Sequence, residues 1–199
     1  DKSIIIKFLE KNEGISNATN TAAEMADGDY ILLMDHDDEL AGDALYEFAK
    51  CIMENHPDVV YSDQDIIDTK GNHSCPLYKP DWSPDLLRSQ MYIGHLCGFK
   101  RSLFLSAGGF RKEYDGSQDY DLLLRLTEKS SKIVHIPKVL YSWRALPSST
   151  AENPDAKPYA QYAGLHAVQE HLNRVYGEGK AQAAETEHLF VYDAVYAME

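Results

Sequence analysis

The sequence is poor in cysteine and in positive charge. Its three cysteines, Cys51, Cys75 and Cys97, are widely spaced and include no Cys-x-x-Cys pair, so they suggest neither a disulfide framework nor a zinc site. Lys and Arg together number 19 against 32 Asp and Glu, which gives a net charge of −13. This excess of negative charge argues against nucleic acid, or an anionic membrane, as the main partner.

Long hydrophobic runs are also missing. No segment reaches the roughly 18 apolar residues of a membrane-spanning helix, and the first residues do not have the layout of a signal peptide. Hydrophobic residues nevertheless make up 44% of the 199 residues, enough to build one substantial core. We therefore expect a globular protein of the cytoplasm without a transmembrane segment, peripheral to the inner face of the membrane only through other parts of the polypeptide.

The strongest functional signal is an apolar run, residues 30–34, that ends in the acidic sequence DHDDE at residues 35–39. The run predicts a buried strand, and the cluster then lies at the carboxyl end of that strand, where open α/β sheets bind ligands. Carboxylates held close together away from water repel one another, and a divalent cation relieves that repulsion. We therefore expect Asp35 and Asp37 to face one metal ion.

Two other interpretations of the acidic cluster need no bound substrate. Acidic residues also stabilise the N-terminus of a helix, and residues 43–54 have helical character. The other interpretation is an EF-hand calcium loop, but Leu40 occupies the position that requires glycine, and a strand rather than a helix is predicted before the cluster. The EF-hand is therefore excluded, and the helix-terminus interpretation stays open.

The rest of the chain alternates predicted strands and helices, a pattern typical of an α/β fold. The predicted strands cover residues 3–8, 30–34, 59–62, 96–99, 133–136, 139–143 and 189–196. The predicted helices cover residues 17–26, 43–55, 102–107, 117–130 and 157–176. The first strand, helix and second strand predict a βαβ unit with parallel strands. Residues 69–84 are rich in Pro, Gly, Asn and Asp, which predicts a loop or irregular ribbon.

A second candidate site lies at the start of the predicted helix 117–130. Asp119 falls in the first turn of this helix, where a carboxylate can point into a cleft, and Gly116 loosens the backbone before it. The alternative is a structural cap, with Ser117 as the N-cap and with Asp119 and Asp121 complementing the helix dipole. Taken alone, the pattern fits the catalytic and the structural role equally.

A third candidate site contains His135 and Arg144, on either side of Pro137 and the strand after it. The planar guanidinium of Arg144 suits a diphosphate, because it can donate two parallel hydrogen bonds. Structural roles are the alternatives for both residues. His135 could be a structural residue of a strand whose ring nitrogens are hydrogen-bonded within the protein, and Arg144 could form a surface salt bridge.

The principal motifs of the chain are, in order, GISNATN at residues 14–20, ADGDY at 26–30, DHDD at 35–38, GGF at 108–110, QDYDLLLR at 118–125 and VLYSWR at 139–144. Shorter motifs are YSD at 61–63, KPDWSPD at 79–85 and IGHL at 93–96. Together, these motifs in this order closely resemble the family 2 glycosyltransferases of the GT-A fold. The likeness is greatest to the bacterial enzymes that build O-antigen, capsule and other surface polysaccharides.

The resemblance implies an α/β, Rossmann-like mixed sheet flanked by helices and an inverting sugar transfer. Asp35 and Asp37 would be the Asp-x-Asp pair that holds Mn²⁺ or Mg²⁺ on the diphosphate of a nucleotide-diphospho-sugar. Asp119 would be the general base that deprotonates a hydroxyl of the acceptor, a growing glycan or a lipid-linked sugar. Where many relatives have Glu before this aspartate, the chain has Gln118.

The resemblance also assigns roles around the donor. It places Asp38 and Asp63 in the donor pocket, His135 near the metal or the phosphates, and Arg144 on the diphosphate. Residues 1–150 would form a GT-A core, and residues 151–199 would be a helix and strand appended to it.

The start of the chain departs from the family pattern. Members of the family begin with another strand and helix that help to clamp the nucleotide base, and nothing in this sequence corresponds to them. We therefore expect an N-terminally truncated sheet, cut from a longer polypeptide, whose exposed edge could pair with a second copy in a homodimer.

Two other functions remain as alternatives. A non-catalytic carbohydrate-binding or scaffold domain derived from such an enzyme could stack sugar rings on Tyr78, Trp82, Tyr92 and Trp143, each of which could equally pack in the core. A glycoside hydrolase would need two carboxyl groups across one sugar. The clustering of acids at a single strand end suits a metal better than that arrangement.

Overall fold

The computed structural model describes residues 4–145 and 158–197. Its helices are α1 (Ile15–Met25), α2 (Ala44–Asn55), α3 (Pro84–Ser89), α4 (Arg101–Ala107), α5 (Gln118–Lys129) and α6 (Pro158–Tyr176), with a short 3-10 helix at Lys112–Tyr114. Its strands are β1 (Tyr30–Leu33), β2 (Glu39–Leu40), β3 (Val59–Ile67), β4 (His73–Leu77), β5 (Cys97–Lys100), β6 (Ile133–Arg144), β7 (Ala181–Glu185) and β8 (Tyr192–Tyr196). The five predicted helices are confirmed to within two residues at each end, and α3 is an addition.

Six strands form one mixed sheet in the order β1-β5-β3-β6-β2, with β4 also paired to β3. The pair β3 and β6 is parallel, with Val59 opposite Ile133, and the other pairs in this sheet are antiparallel. The mixed α/β sheet predicted from the sequence is therefore confirmed. Among the described strands, β1 and β2 each have a neighbour on one side only.

The central strands bury both faces of the sheet. Because successive side chains of a strand point to opposite faces, Val60 and its neighbour Val59 belong to two separate clusters of buried residues. Helix α2 covers the face of Val60, and its Ala44 and Phe48 recur at the spacing of a single helix face. The other face packs against α5, whose Leu122 is fully buried.

The C-terminal elements, α6, β7 and β8, belong to the same cluster of buried residues as α5. Val168 and Leu172 of α6 and Tyr192 of β8 lie in the same buried cluster as Leu122. Strands β7 and β8 form a separate antiparallel hairpin. Gly164 allows this hairpin to approach α6, because a Cβ there would lie 2.2 Å from the hydroxyl of Tyr192.

Two strand predictions need correction, and one predicted loop region contains a strand. Residues 4–8 form no strand, and the side chains of Ile4, Ile5, Ile6 and Phe8 are 67–91% exposed, so the predicted βαβ unit is not formed among the described residues. Apolar content alone does not make a strand, which also requires a partner for its backbone groups. The strands predicted on either side of Pro137 are one continuous strand with a shifted register, because proline can occupy a bulge. Residues 69–84, predicted as a loop or irregular ribbon, contain β4, which pairs with β3 in a shifted register.

The described helices also bear on the membrane prediction. No helix within residues 4–145 and 158–197 combines the length and the hydrophobicity that crossing a bilayer requires.

Candidate active site

A cavity of about 780 Å³ lies where the carboxyl end of β1 meets the N-terminus of α5. Its lining comes from the residues after β1, the loop 91–95, the segment 115–120 and the C-terminal elements. Asp35 and Asp119, which are 84 positions apart in the chain, both line it. A concave site of this size with a few polar groups among apolar ones is the usual form of a small-molecule site.

Asp35 reaches the cavity just beyond β1, with its side chain 48% exposed. One carboxylate oxygen lies 3.7 Å from Nε2 of His95, which lines the same cavity. The backbone N–H of Asp35 donates to the hydroxyl of Tyr141 at 3.1 Å. The His95 ring stacks on the Tyr141 ring with centroids 5.0 Å apart, so Tyr141 contacts both cavity residues.

Asp38 has a different environment from Asp35, because it is only 6% exposed. The hydroxyl of Tyr141 donates to Oδ2 of Asp38, and the backbone N–H of Arg144 donates to Oδ1 at 2.8 Å. Burial raises the pKa of Asp38, although these two hydrogen bonds act in the opposite direction. Both carboxylate oxygens are therefore engaged within the protein.

The Arg144 side chain lies along the acidic loop. Its Nε donates to the carbonyl oxygen of Asp37 at 2.6 Å, and its terminal nitrogen forms an ion pair with Glu39. The side chain of Asp37 is 36% exposed, and its carboxylate lies 3.8 Å from Nδ1 of His36. In the described structure, Arg144 and Asp38 fix the backbone that carries the more exposed Asp37.

Asp63 and His135 form a pair that does not line the cavity. Asp63 is 2% exposed and accepts the backbone N–H of Lys79 at 2.8 Å. Nε2 of His135 lies 2.8 Å from Asp63, and its Nδ1 lies 3.3 Å from Asp81. The His135 ring also stacks on Tyr61, with centroids 4.9 Å apart. The structure therefore brings His135 to Asp63, and not to Asp35.

The buried side chain of Lys79 fixes the loop that carries His95. Its ammonium group donates to the carbonyl oxygens of Ile93 and His95 at 2.5 and 2.6 Å, and burial lowers the pKa of Lys79 to about 7. Gly94 has a φ of +49°, and a Cβ there would lie 2.7 Å from the amide oxygen of Gln64. The glycine lets this loop approach β3 closely.

Asp119 lies in the first turn of α5, as predicted. Its Oδ1 accepts the backbone N–H of Tyr120 at 2.8 Å. Ser117 occupies the N-cap position and Asp119 and Asp121 lie in the first turn, as the structural alternative predicts. The hydroxyl of Ser117 forms no side-chain capping hydrogen bond, because it donates to the carbonyl oxygen of Ala160 at 2.7 Å. Asp115, for which the sequence predicts no role, accepts the backbone N–H of Ser16 at 3.3 Å at the start of α1.

Sequence reasoning misses several residues of this cavity. The only sequence signal for His95 is the IGHL motif at residues 93–96, and Tyr141 lies within the VLYSWR motif at 139–144. Gln64, Tyr159 and Phe190 also line the cavity. Nothing in their local sequence indicates this, because they lie on three separate elements.

Comparison with known proteins agrees with the geometry. The family described as Glycosyl transferase family 2 matches residues 1–107. Protein y4gI of Sinorhizobium fredii, which is uncharacterized, is 45% identical over 182 residues, covering 89% of this chain and 20% of that protein. The O-antigen biosynthesis protein RfbC of Myxococcus xanthus is 38% identical over 161 residues, covering 80% of this chain and 12% of that protein. The chain thus spans a fifth or less of these relatives.

Solved structures share the fold at low sequence identity. S. aureus TarS 1-349 in complex with UDP-GlcNAc has a TM-score of 0.57 and 17% identity, over 86% of this chain and 56% of that chain. Mannosyltransferase PcManGT from Pyrobaculum calidifontis, in complex with GDP-Man and Mn²⁺, has a TM-score of 0.54 and 19% identity, over 86% and 46%. The chain therefore has the GT-A fold and belongs to glycosyl transferase family 2.

Proposed function

We propose that this chain is the catalytic part of an inverting, metal-dependent glycosyltransferase. It would transfer a sugar from a nucleotide-diphospho-sugar to a hydroxyl of a growing cell-surface glycan or lipid-linked acceptor. The observation that carries the proposal is the presence of Asp35 and Asp119 on one cavity of about 780 Å³. The nucleotide sugars bound by TarS and PcManGT, and the O-antigen role in the name of RfbC, support the substrate class.

Asp119 would act as the general base. Its Oδ1 accepts the N–H of Tyr120, which orients the carboxylate, and we assign Oδ2 to the proton of the acceptor hydroxyl. As that proton moves to Asp119, the acceptor oxygen bonds to the anomeric carbon. The bond from that carbon to the diphosphate oxygen breaks on the opposite face, so the configuration at the anomeric carbon inverts.

Asp35 and Asp37 would hold a Mg²⁺ or Mn²⁺ ion. Their oxygen atoms are suitable ligands, and both side chains are partly exposed. Within the described residues, no group of three His, Cys, Asp or Glu side chains is placed to bind a metal. The remaining ligands would therefore come from the diphosphate and water, as is common for Mg²⁺. When bound, the cation would offset the charge on the departing diphosphate.

The other residues predicted for the donor site would act as positioning residues. We propose that Asp38 and Arg144 orient the loop bearing Asp37, because their polar groups bond to that loop and to Tyr141. Asp63 and His135 would instead support the backbone of Lys79, which fixes the loop around His95.

The test of the proposed base is Asp119→Asn, assayed for sugar transfer with a panel of UDP-, dTDP- and GDP-sugars. We expect transfer to fall by about 100-fold or more, with little change in the affinity for the nucleotide. Asp193→Asn is the matched control, because Asp193 is exposed on β8 outside the cavity lining. Unchanged transfer by Asp119→Asn would refute the proposal.

A carbohydrate-binding scaffold is the second candidate, because Tyr92 and Trp143 line the cavity. Tyr78 and Trp82, the other aromatic residues considered for sugar stacking, lie outside its lining. Titration with UDP, with and without MnCl₂, separates the two functions. An enzyme should bind UDP in a Mn²⁺-dependent manner that Asp35→Asn weakens, whereas a scaffold should bind glycans equally in the presence of a chelator.

A further inference from the structure

Two aromatic residues of the C-terminal elements line the cavity and have no part in the reaction described above. Tyr159 lies at the start of α6, and Phe190 lies between β7 and β8. Both are outside residues 1–107, the part of the chain that matches the family. The half of the chain beyond the family match therefore builds part of the cavity wall.

Tyr159 lies against the segment that carries the proposed base. A Cβ added to Gly116 would be only 2.7 Å from Cε2 of Tyr159, so the ring rests directly on the backbone three residues before Asp119. Gly116 also has a φ of +99°, a conformation that favours glycine. The Tyr159 side chain is 55% exposed, which leaves ring surface free to contact a ligand.

Phe190 is held at the cavity by a buried amide. Its backbone N–H donates to Oε1 of Gln161 at 2.6 Å, and Gln161 is 8% exposed. The carbonyl oxygen of Gln161 accepts the hydroxyl of Tyr192 at 2.9 Å, which joins α6 to the hairpin. Phe190 has a φ of +60°, a conformation that is unfavourable for a bulky residue and persists only where its surroundings impose it. The fold thus places this ring at the cavity at a conformational cost.

Aromatic and polar groups together suit a sugar ring. The faces of a pyranose carry C–H groups with a slight positive charge, which the negative face of an aromatic ring attracts. The hydroxyls at its rim need hydrogen-bond partners, and Gln64, Asp115 and Gln118 line the same cavity. A cavity with this lining can bind both parts of a sugar.

We propose that Tyr159 and Phe190 form the acceptor subsite and bind the pyranose ring whose hydroxyl Asp119 deprotonates. This inference rests on the proposed function. In an in-line transfer the donor sugar lies between the diphosphate and the acceptor, so the nucleotide base lies on the far side of the diphosphate. The rings beside the base-bearing segment therefore meet the acceptor rather than the nucleotide. The C-terminal elements, and not the family-matched half, would select the acceptor.

The experiment measures the binding of methyl and octyl pyranosides of glucose, galactose and N-acetylglucosamine by saturation-transfer NMR. We expect Tyr159→Ala and Phe190→Ala each to lower the affinity for the best-bound pyranoside by about tenfold, because each variant loses one stacking contact with the sugar ring. Tyr159→Phe keeps the ring and should bind as the unaltered protein does. Tyr162→Ala is the matched control, because Tyr162 is 64% exposed on the same helix and outside the cavity lining.

Calorimetry of each variant with UDP and MnCl₂ identifies which substrate the rings contact. We expect no change in this affinity for Tyr159→Ala or Phe190→Ala. If Phe190→Ala fails to fold, Phe190→Leu replaces it, since leucine keeps an apolar side chain and removes the ring. The same loss of pyranoside binding is expected.

Three results would overturn the acceptor subsite. They are pyranoside binding unchanged by both alanine variants, an equal loss of UDP affinity in those variants, and no pyranoside binding to the unaltered protein. Failure of the proposed function is distinguishable, because it is judged from sugar transfer by Asp119→Asn, whereas the subsite is judged from binding alone.

Discussion

At the scale of single residues, the hydroxyl of Tyr141 links the two ends of the acidic loop. It accepts the backbone N–H of Asp35 at 3.1 Å and donates to the carboxylate of Asp38. Tyr141 is fully buried, so water does not replace either bond when the hydroxyl is removed. The position of Asp35 at the cavity thus depends on a side chain that lies 106 residues away in sequence.

Tyr141→Phe removes this hydroxyl and keeps the ring. We expect the free energy of unfolding to fall by about 1–3 kcal/mol, because buried partners lose a hydrogen bond. We also expect weaker binding of UDP with MnCl₂, since Asp35 and the loop lose their anchor. Urea denaturation and calorimetry measure the two effects. Tyr46→Phe is the control, because Tyr46 is 66% exposed, and an unchanged UDP affinity in Tyr141→Phe would contradict the positioning role.

At the scale of elements, a buried charge network fixes α5 and hence Asp119. Asp121 is 0% exposed and forms ion pairs with Arg111 and Arg125. Nε of Arg125 donates to Oδ2 of Asp121 at 3.1 Å. Arg125 also donates to the carbonyl oxygens of Ala107 and Gly109, at 2.7 and 2.8 Å. The turn after α4 and the helix α5 are therefore held as one unit.

Asp121→Asn leaves the buried Arg125 without its carboxylate partner and removes one of the two carboxylates that pair with Arg111. We expect a loss of about 3–5 kcal/mol in stability, the usual consequence of breaking one partner of a buried ion pair. Asp119→Asn, two residues earlier in the same turn of the helix, should keep its stability and lose activity. Denaturant unfolding of both variants checks this contrast, and an equal effect of the two substitutions on stability would disprove it.

Asp58 connects three strands at the other end of the sheet. It accepts the backbone N–H groups of Ser131 and Lys132 at 2.7 and 3.0 Å, before β6, and pairs with Lys100 of β5 at 2.7 Å. Burial alone would raise the pKa of Asp58, but Lys100 and these donors lower it from 3.8 to about 2. The folded state therefore binds the charged form more strongly than the unfolded state does.

The stabilisation by Asp58 should depend on pH. Because its pKa is lower in the folded state, the contribution is fully present above the unfolded value of about 4 and is lost as the pH falls towards 2. Urea midpoints of the unaltered protein and of Asp58→Asn, measured from pH 2 to 7, should differ most above pH 4 and converge near pH 2. A difference that grows on acidification would show the opposite sign.

At the scale of the whole molecule, the C-terminal elements are continuous with the core. Leu172 of α6 is fully buried in the cluster that contains Leu122 of α5 and Val59 of β3. A packed interior of this kind unfolds as one unit in small proteins. We therefore expect the C-terminal helix and hairpin to unfold together with the sheet.

Leu172→Ala tests this continuity. We expect a loss of about 2–5 kcal/mol, the range for truncating a buried leucine, in a single transition seen equally by near-UV and far-UV circular dichroism. Val175→Ala is the matched control on the same helix, because Val175 is 44% exposed. Two separate transitions, only one of them shifted by Leu172→Ala, would show that the C-terminal part is an independent unit.

The success of sequence prediction differed with the range of the interactions involved. The helices and the strand before Asp35 follow from local periodicity, because a helix satisfies its own backbone groups. Residues 4–8 do not form the predicted strand, and β2 and β7 are missed, because a strand depends on its neighbours. For the same reason, no local pattern indicates that His95 lies beside Asp35.

The sequence by itself determined the α/β class, the family resemblance and the acidic motif at the end of β1, since each is a local pattern of residue types. Only the tertiary structure decided which acids share the cavity. Asp35, Asp115 and Asp119 line it, whereas Asp38 and Asp63 are buried and hydrogen-bonded, although DHDD reads as one acidic cluster. The physical reason is that exposure and partners are set by contacts between distant segments, such as Tyr141 with Asp38, and these exist only in the folded chain.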